Sequence, residues 1–192
     1  MTNCQISFME QSDIQEAANV LSRAMLNNPH HIGVFQGNGE NQRIEIEEMF
    51  HQLFIVSPGI VFLAKENNRI NGVMRMKSCC GEVIDESNEC KDENELNWRK
   101  AIWFKEWSNH DPVEQHWHLG PIGVLPSDCG MGVGSRLMQR FCMEVDNCSA
   151  KAYLETDLDS NVRFYKQFGF TIISKSTIFN VETRYMLREP RR

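Results

Sequence analysis

One stretch constrains the fold more than any other: HWHLGPIGVLPSDCGMGVGSRLMQRFCMEVD, residues 116–146. It opens with strand-like alternation at His116, His118, Gly120, Ile122 and Val124. Gly120-Pro121 interrupts that alternation. Proline cannot donate to a sheet ladder, so it belongs at a bulge or an edge. A bulge here would splay the strand from its neighbour and free backbone groups. Gly130, Gly132 and Gly134 follow, and then Leu137, Phe141 and Val145 form a helical stripe. Glycines let a backbone come close to a ligand. The first free N–H groups of the helix and its dipole make a site for a phosphate or pyrophosphate. The plainer alternative is a tight turn in which the glycines serve geometry alone.

The flanking sequence reads as an α/β chain. ISFMEQSDIQEAANVLSRAML predicts a short strand and then a helix. Ser12 or Asp13 is placed to cap it, and Ile14, Ala17, Ala18, Leu21 and Met25 form its stripe. Residues 27–40, rich in turn formers, read as a loop. RIEIEEMFHQLF predicts a second helix. GIVFLAKENNRINGVMRMKSC predicts a hairpin, with Gly72 marking a bulge or a close packing point. Residues 81–95 hold seven carboxylates and one lysine, the composition of a solvated loop. The Trp-rich segment 96–110 has helical spacing. It reads first as a surface helix packed by its tryptophans, and second as a lid. AYLETD predicts a strand, and NVRFYKQF a short helix capped by Ser160 or Asp159 and ended by Gly169. Two strands close the chain, and Arg188, Arg191 and Arg192 read as a basic tail with no task.

Composition removes whole classes of function. The 192 residues suit one domain, 1–192, with an acidic and Trp-rich insertion at about 78–110. The net charge of -6 argues against nucleic acid as a partner. No apolar run is long enough to cross a bilayer, which argues against a membrane. The first residues lack a basic and an apolar region of the kind that directs secretion, so a cytoplasmic chain with reduced thiols is expected. Seven cysteines include no CxxC pair, and the adjacent Cys79 and Cys80 lack the usual zinc spacing, so no metal is expected.

The glycine loop is not a P-loop: Ser135-Arg136 stands after the glycines, with no lysine. Nor is it GxGxxG, since Ser135 holds the sixth position from Gly130. Val124, Cys129, Gly132 and Gly134 instead form V-x4-C-x-x-G-x-G. This resembles V-x4-[RQ]-x-x-G-x-[GA], the acetyl-CoA pyrophosphate signature of the GNAT family of N-acetyltransferases. Asn161, Phe164, Tyr165, Gly169 and Phe170, spaced N-x-x-F-Y-x-x-x-G-F, resemble a second family pattern downstream. The resemblance implies a mixed, mostly antiparallel central sheet with a bulged strand before the glycine loop, flanked by helices. It departs at Cys129, where the family usually has Arg or Gln. That position acts mainly through its N–H in the family, so the change removes a side-chain contact rather than the site.

By the same resemblance, acetyl passes directly from acetyl-CoA to a primary amine, here expected to belong to a small molecule. Ile122, Gly123 and Val124 would meet the pantetheine arm. Cys129, Gly130, Met131, Gly132, Val133, Gly134 and Ser135 would cradle the pyrophosphate, and Asn161 would bond pantetheine. Tyr165 is the candidate acid for the leaving thiolate, because a phenol is a weaker acid than an ordinary thiol and gives up its proton only once a thiolate forms beside it. His118, on one strand face with His116, is a candidate base for the amine, and Glu155 acting through water is another. Each also has a structural role open to it: a packed tyrosine, a satisfied histidine, a polar residue of a helix's first turn. Two other functions stay open, a catalytically silent CoA-binding domain and acyl transfer through a cysteine. The acidic stretch 82–95 offers attraction to a cationic amine. A homodimer is common in the family.

Overall fold

The computed structural model describes residues 4–79 and 95–191. Seven strands form one sheet: β1 (Gln5–Phe8), β2 (Ile60–Glu66), β3 (Arg69–Cys79), β4 (His116–Val124), β5 (Lys151–Thr156), β6 (Thr171–Ile178) and β7 (Val181–Arg188). Their order is β1-β2-β3-β4-β5-β7-β6. Only β4 and β5 pair in parallel, and every other neighbour is antiparallel. This is the expected mixed, mostly antiparallel sheet. Among the described residues six α-helices accompany it: α1 (Ile14–Met25), α2 (Pro29–Phe35), α3 (Glu40–Val56), α4 (Leu96–His110), α5 (Val133–Asn147) and α6 (Asp159–Lys166). None of the described helices is long and apolar enough to cross a membrane.

The central strands are covered on both faces. Phe62, Met74, Met76 and Leu119 pack with Leu137, Phe141 and Val145 of α5. Leu63 and Val73, of opposite parity, pack with Leu21 of α1 and Ile46 and Phe54 of α3. Two glycines set how closely the helices approach. A Cβ on Gly72 would lie 2.8 Å from Val133 Cγ1, and one on Gly123 would lie 2.8 Å from Ala24 Cβ. Gly72 also adjoins a register shift between β2 and β3, so it is a bulge neighbour and a close packing point together. The β2–β3 turn places Asn67 and Asn68 at φ 51° and 64°, the left-handed conformation that asparagine tolerates.

Four local expectations need correction. Residues 29–35 are a helix rather than a loop, because Pro29 starts it and the Asn28 side chain accepts the His31 N–H at 3.2 Å. Asp13 precedes α1 but does not cap it. It accepts the Glu10 N–H at 3.0 Å and pairs with Lys65 at 2.8 Å. Leu158 is the residue before α6, and Asp159 pairs with Arg184 instead of capping. Arg188 is no tail residue: it is buried in β7 and holds Asp146 of α5 through two bonds of 2.8 and 2.7 Å. The acidic stretch falls almost wholly outside the described residues.

The Asp146–Arg188 pair has a pH signature. Hydrogen bonds from Arg188 hold the Asp146 carboxyl below its ordinary range despite opposing burial. Its stabilisation is therefore complete above the unfolded-state pKa and is lost as pH falls through the lower folded value. Asp146→Asn leaves the buried guanidinium half-paired, and should lower stability at pH 7 by roughly 2–4 kcal/mol. Urea melts should also show a smaller stability loss between pH 5 and pH 2 in the variant than in the wild type.

Candidate active site

The parting of two parallel strands makes the site. β4 pairs with β5 only at His116, Trp117 and His118. Beyond that, β4 bulges against β3: Met76 faces Leu119 and Met74 faces Ile122, so Gly120 and Pro121 stand opposite Arg75 alone. The Gly120-Pro121 peptide bond is cis. Arg75 is buried and braces the bulge. Its Nη1 donates to Gly120 O at 3.1 Å, while Nη2 and Nε donate to Ser57 O at the end of α3, at 2.7 and 3.0 Å. Leu125 N–H donates to Asn71 O on the β3 side. Alternation along the strand then turns the N–H groups of Val124 and Ile122 away from β3, toward the gap.

The glycine loop closes one end of that gap. Gly130 and Gly132 have φ of 80° and 82°, and a Cβ at either would meet nothing within 4 Å, which leaves an open backbone face. The first helical bond of α5 runs from Arg136 N–H to Gly132 O at 3.1 Å. The N–H groups of Val133, Gly134 and Ser135 therefore start the helix without an intrahelical acceptor. This cradle fits a pyrophosphate. The loop residues differ in what they offer. Val133 is buried beneath Gly72 and has only its backbone for a ligand, while Met131 is half exposed. Gly134 faces Phe164 and Val124, and Gly123 faces α1, so their side-chain positions point to packing rather than to the gap. Cys129 is exposed, with Sγ 3.6 Å from Leu125 O.

At the parting itself lies a cavity of about 510 Å³. Ile122, Glu155, Asn161 and Tyr165 line it on the sheet side, with His118. The opposite wall comes from segments in which sequence reasoning named no site residue: His30 and His31 of α2, Met49, Phe50 and Leu53 of α3, and Trp103, Phe104 and Trp107 of α4. Trp103 is 2% exposed and stacks edge-on to Trp107 at 4.6 Å. The tryptophans of α4 thus wall the cavity and are not merely surface packing. Asp157, at the end of β5, accepts the His30 N–H at 3.0 Å and the Asn28 amide at 2.9 Å, which ties α2 to the sheet.

The titratable groups form one connected set. His118 Nε2 lies 2.8 Å from Glu155 Oε2, and its Nδ1 lies 3.7 Å from Asp111 Oδ1. His116 Nδ1 meets Glu114 O at 2.8 Å and its Nε2 meets Asp111 Oδ1 at 3.2 Å. Burial opposes charge on His118, but Glu155 and Cys79 outweigh it and lift its pKa to about 10. Burial likewise opposes charge on His116, and bonds to Asp111 and Cys79 lift it to about 9. Hydrogen bonds from His116 and His118 pull the Cys79 thiol down to about 6. Burial, then Glu155 and Asp157, push the Tyr165 phenol well above its ordinary value, so it keeps its proton.

The model of the Acetyltransferase (GNAT) family matches residues 26–170. The chain belongs to that family. Its fold is shared with a Corynebacterium glutamicum protein described as histone acetyltransferase HPA2 and related acetyltransferase, at TM-score 0.75 and 17% identity over 100% of this chain and 98% of that one. Arylalkylamine N-acetyltransferase 2 from Aedes aegypti matches at TM-score 0.72 and 13% identity, over 98% and 100%. A Brucella melitensis GNAT acetyltransferase in complex with acetyl-CoA matches at 0.59 and 16%, over 98% and 89%. At these identities the likeness is one of fold. The open cradle and the parted strands of this GNAT protein fit the family's co-substrate, acetyl-CoA.

Gly132→Val tests the cradle. A left-handed position costs a non-glycine residue roughly 1–2 kcal/mol, and the branched side chain fills the open face. The variant should fold with a lowered melting temperature and bind CoA at least 10-fold more weakly by calorimetry. Cys129→Ser should bind nearly as well as the wild type.

Proposed function

We propose that this protein transfers acetyl from acetyl-CoA to the primary amine of a small molecule with an apolar or aromatic body. The observation that carries this reading is the cavity, which joins the strand gap at one end to an aromatic wall at the other. The wall offers apolar area and aromatic faces, which attract a cationic amine as well as a ring. Glu155 supplies the carboxylate at the reacting end.

Each residue has a role in this reading. N–H groups of Val133, Gly134 and Ser135 hold the pyrophosphate, with the backbone from Cys129 to Gly132 shaping the loop. The Ile122 and Val124 N–H groups, flanking Gly123, and the Asn161 side chain hold the pantetheine arm. When bound, acetyl-CoA supplies the activated acetyl group. Glu155 accepts the amine proton, directly or through water. His118 serves as its positioning residue, because its Nε2 is already bonded to Glu155 and its Nδ1 faces Asp111. Tyr165 keeps its proton until a thiolate develops beside it and then gives it up.

An acceptor screen with free-thiol detection tests the substrate class. Arylalkylamines should show kcat/KM at least 10-fold above that of linear polyamines, and Trp107→Ala should narrow that margin. CoA binding without turnover on any amine would assign the silent-domain reading instead.

Two substitutions test the proton path. Tyr165→Phe keeps the ring and its packing, so CoA affinity should hold while kcat falls by about 100- to 10,000-fold. Glu155→Gln should lower kcat with CoA affinity little changed. An undiminished kcat in Glu155→Gln, together with a lowered kcat in His118→Ala, would return the role of base to His118.

A further inference from the structure

Behind the Glu155–His118 pair the sheet brings together three metal-binding side chains from two strands. Cys79 ends β3 and pairs directly with His116, while His118 stands two residues further along β4. Residues opposite one another and two apart share one face of a sheet. One ligand atom from each of Cys79, His116 and His118 lies within 4.8 Å of the others. Asp111 arrives from the end of α4, with Oδ1 at 3.2 Å from His116 Nε2 and 3.7 Å from His118 Nδ1.

The outer contacts match those of a metal centre. A ligating histidine almost always donates its second N–H to a carboxylate or a carbonyl. Here His118 Nε2 meets the Glu155 carboxylate at 2.8 Å and His116 Nδ1 meets Glu114 O at 2.8 Å. Once each ring gives up its second proton to make room for a metal, both contacts keep the N–H on the outer nitrogen and leave the inner one its lone pair. Those inner nitrogens and the Cys79 thiol then face one space, and Asp111 Oδ1 stands beside the two nitrogens.

We propose that Cys79, His116, His118 and Asp111 bind a zinc ion. Two imidazoles, a thiolate and a carboxylate suit tetrahedral zinc, and the two anions balance its charge. Ligand atoms of tetrahedral zinc stand roughly 3.3–3.6 Å apart, given bonds near 2.0 Å to nitrogen and 2.3 Å to sulfur. The distances from Asp111 to the two histidines, 3.2 and 3.7 Å, lie near that range, and the atoms of Cys79, His116 and His118, within 4.8 Å of one another, draw closer when the ion binds. Four protein ligands leave no open position, so the ion is structural and stays out of the acyl transfer. Its effect on the active site is to hold His118 with Nε2–H donated to Glu155. The proposal replaces the expectation of no metal, which searched short motifs and could not join Cys79 to a histidine pair 37 residues away.

The test uses the full chain and needs no acceptor. The protein is stripped with chelator under reducing conditions, checked by circular dichroism, and titrated with zinc against a chromophoric chelator. One zinc per chain is expected, with a rise in melting temperature. Cobalt substitution should give a thiolate-to-cobalt charge-transfer band. Changes to outer contacts typically cost 10- to 100-fold in metal affinity, so loss of a ligand in Cys79→Ser should cost at least about 100-fold. Cys79 is only partly buried, and Cys148→Ser serves as the control at an exposed thiol. Failure to bind zinc stoichiometrically, equal affinity in Cys79→Ser and Cys148→Ser, or a cobalt complex without the thiolate band would overturn the proposal. CoA binding by the stripped protein would leave the acetyltransferase reading standing in each of those cases.

Discussion

The hydrogen-bond ladder between β4 and β5 stops after His118. Two parallel strands that continued to pair would seal the sheet and leave no slot at its centre. The extra residue at Gly120-Pro121 turns β4 off that course. Arg75 keeps it there, with a guanidinium bonded to Gly120 O on one side and Ser57 O on the other. A buried guanidinium is costly unless its donors are satisfied, and here backbone carbonyls satisfy them. The strand gap, the glycine cradle beyond it and the cavity before it all depend on that parting.

The gap sorts the chemistry by depth. Backbone N–H groups face it where β4 runs alone, so the long arm of a ligand can be held without side chains. The carboxylate of Glu155 and the phenol of Tyr165 sit at its inner end, both lining the cavity. In this buried setting the Tyr165 phenol holds its proton. A low-dielectric pocket strengthens the effect of each nearby charge. The aromatic wall from α2, α3 and α4 then bounds the cavity on its other side.

Several features escaped local reading for identifiable reasons. α2 was hidden because Pro29, Gly33 and Gly37 read as turn formers, although Asn28-Pro29 is also a helix start. Asp13 and Asp159 are good caps by type, yet Lys65 and Arg184 draw their carboxylates elsewhere. The fold delivers a cation to each of these carboxylates, and sequence spacing does not reveal where it will. Arg188 shows the same limit: its partner Asp146 is 42 residues away on α5. The tryptophans of α4 look alike in sequence whether they pack a surface or wall a cavity.

The sequence by itself determined the bulge, the glycine loop, the helix that follows and the second motif around Tyr165. These depend on neighbours a few residues apart: proline without a donor, glycine at positive φ, apolar residues at helical spacing. It also determined the mixed sheet through its family resemblance. Only the tertiary structure decided what faces Glu155 and Tyr165. It set Trp103 and Trp107 across the cavity from them, tied α2 to Asp157, and laid Cys79 opposite His116. Those relations join residues from 37 to more than 120 positions apart. They follow from strand register and helix docking, which are settled by burial of the whole apolar surface and leave no local periodic trace.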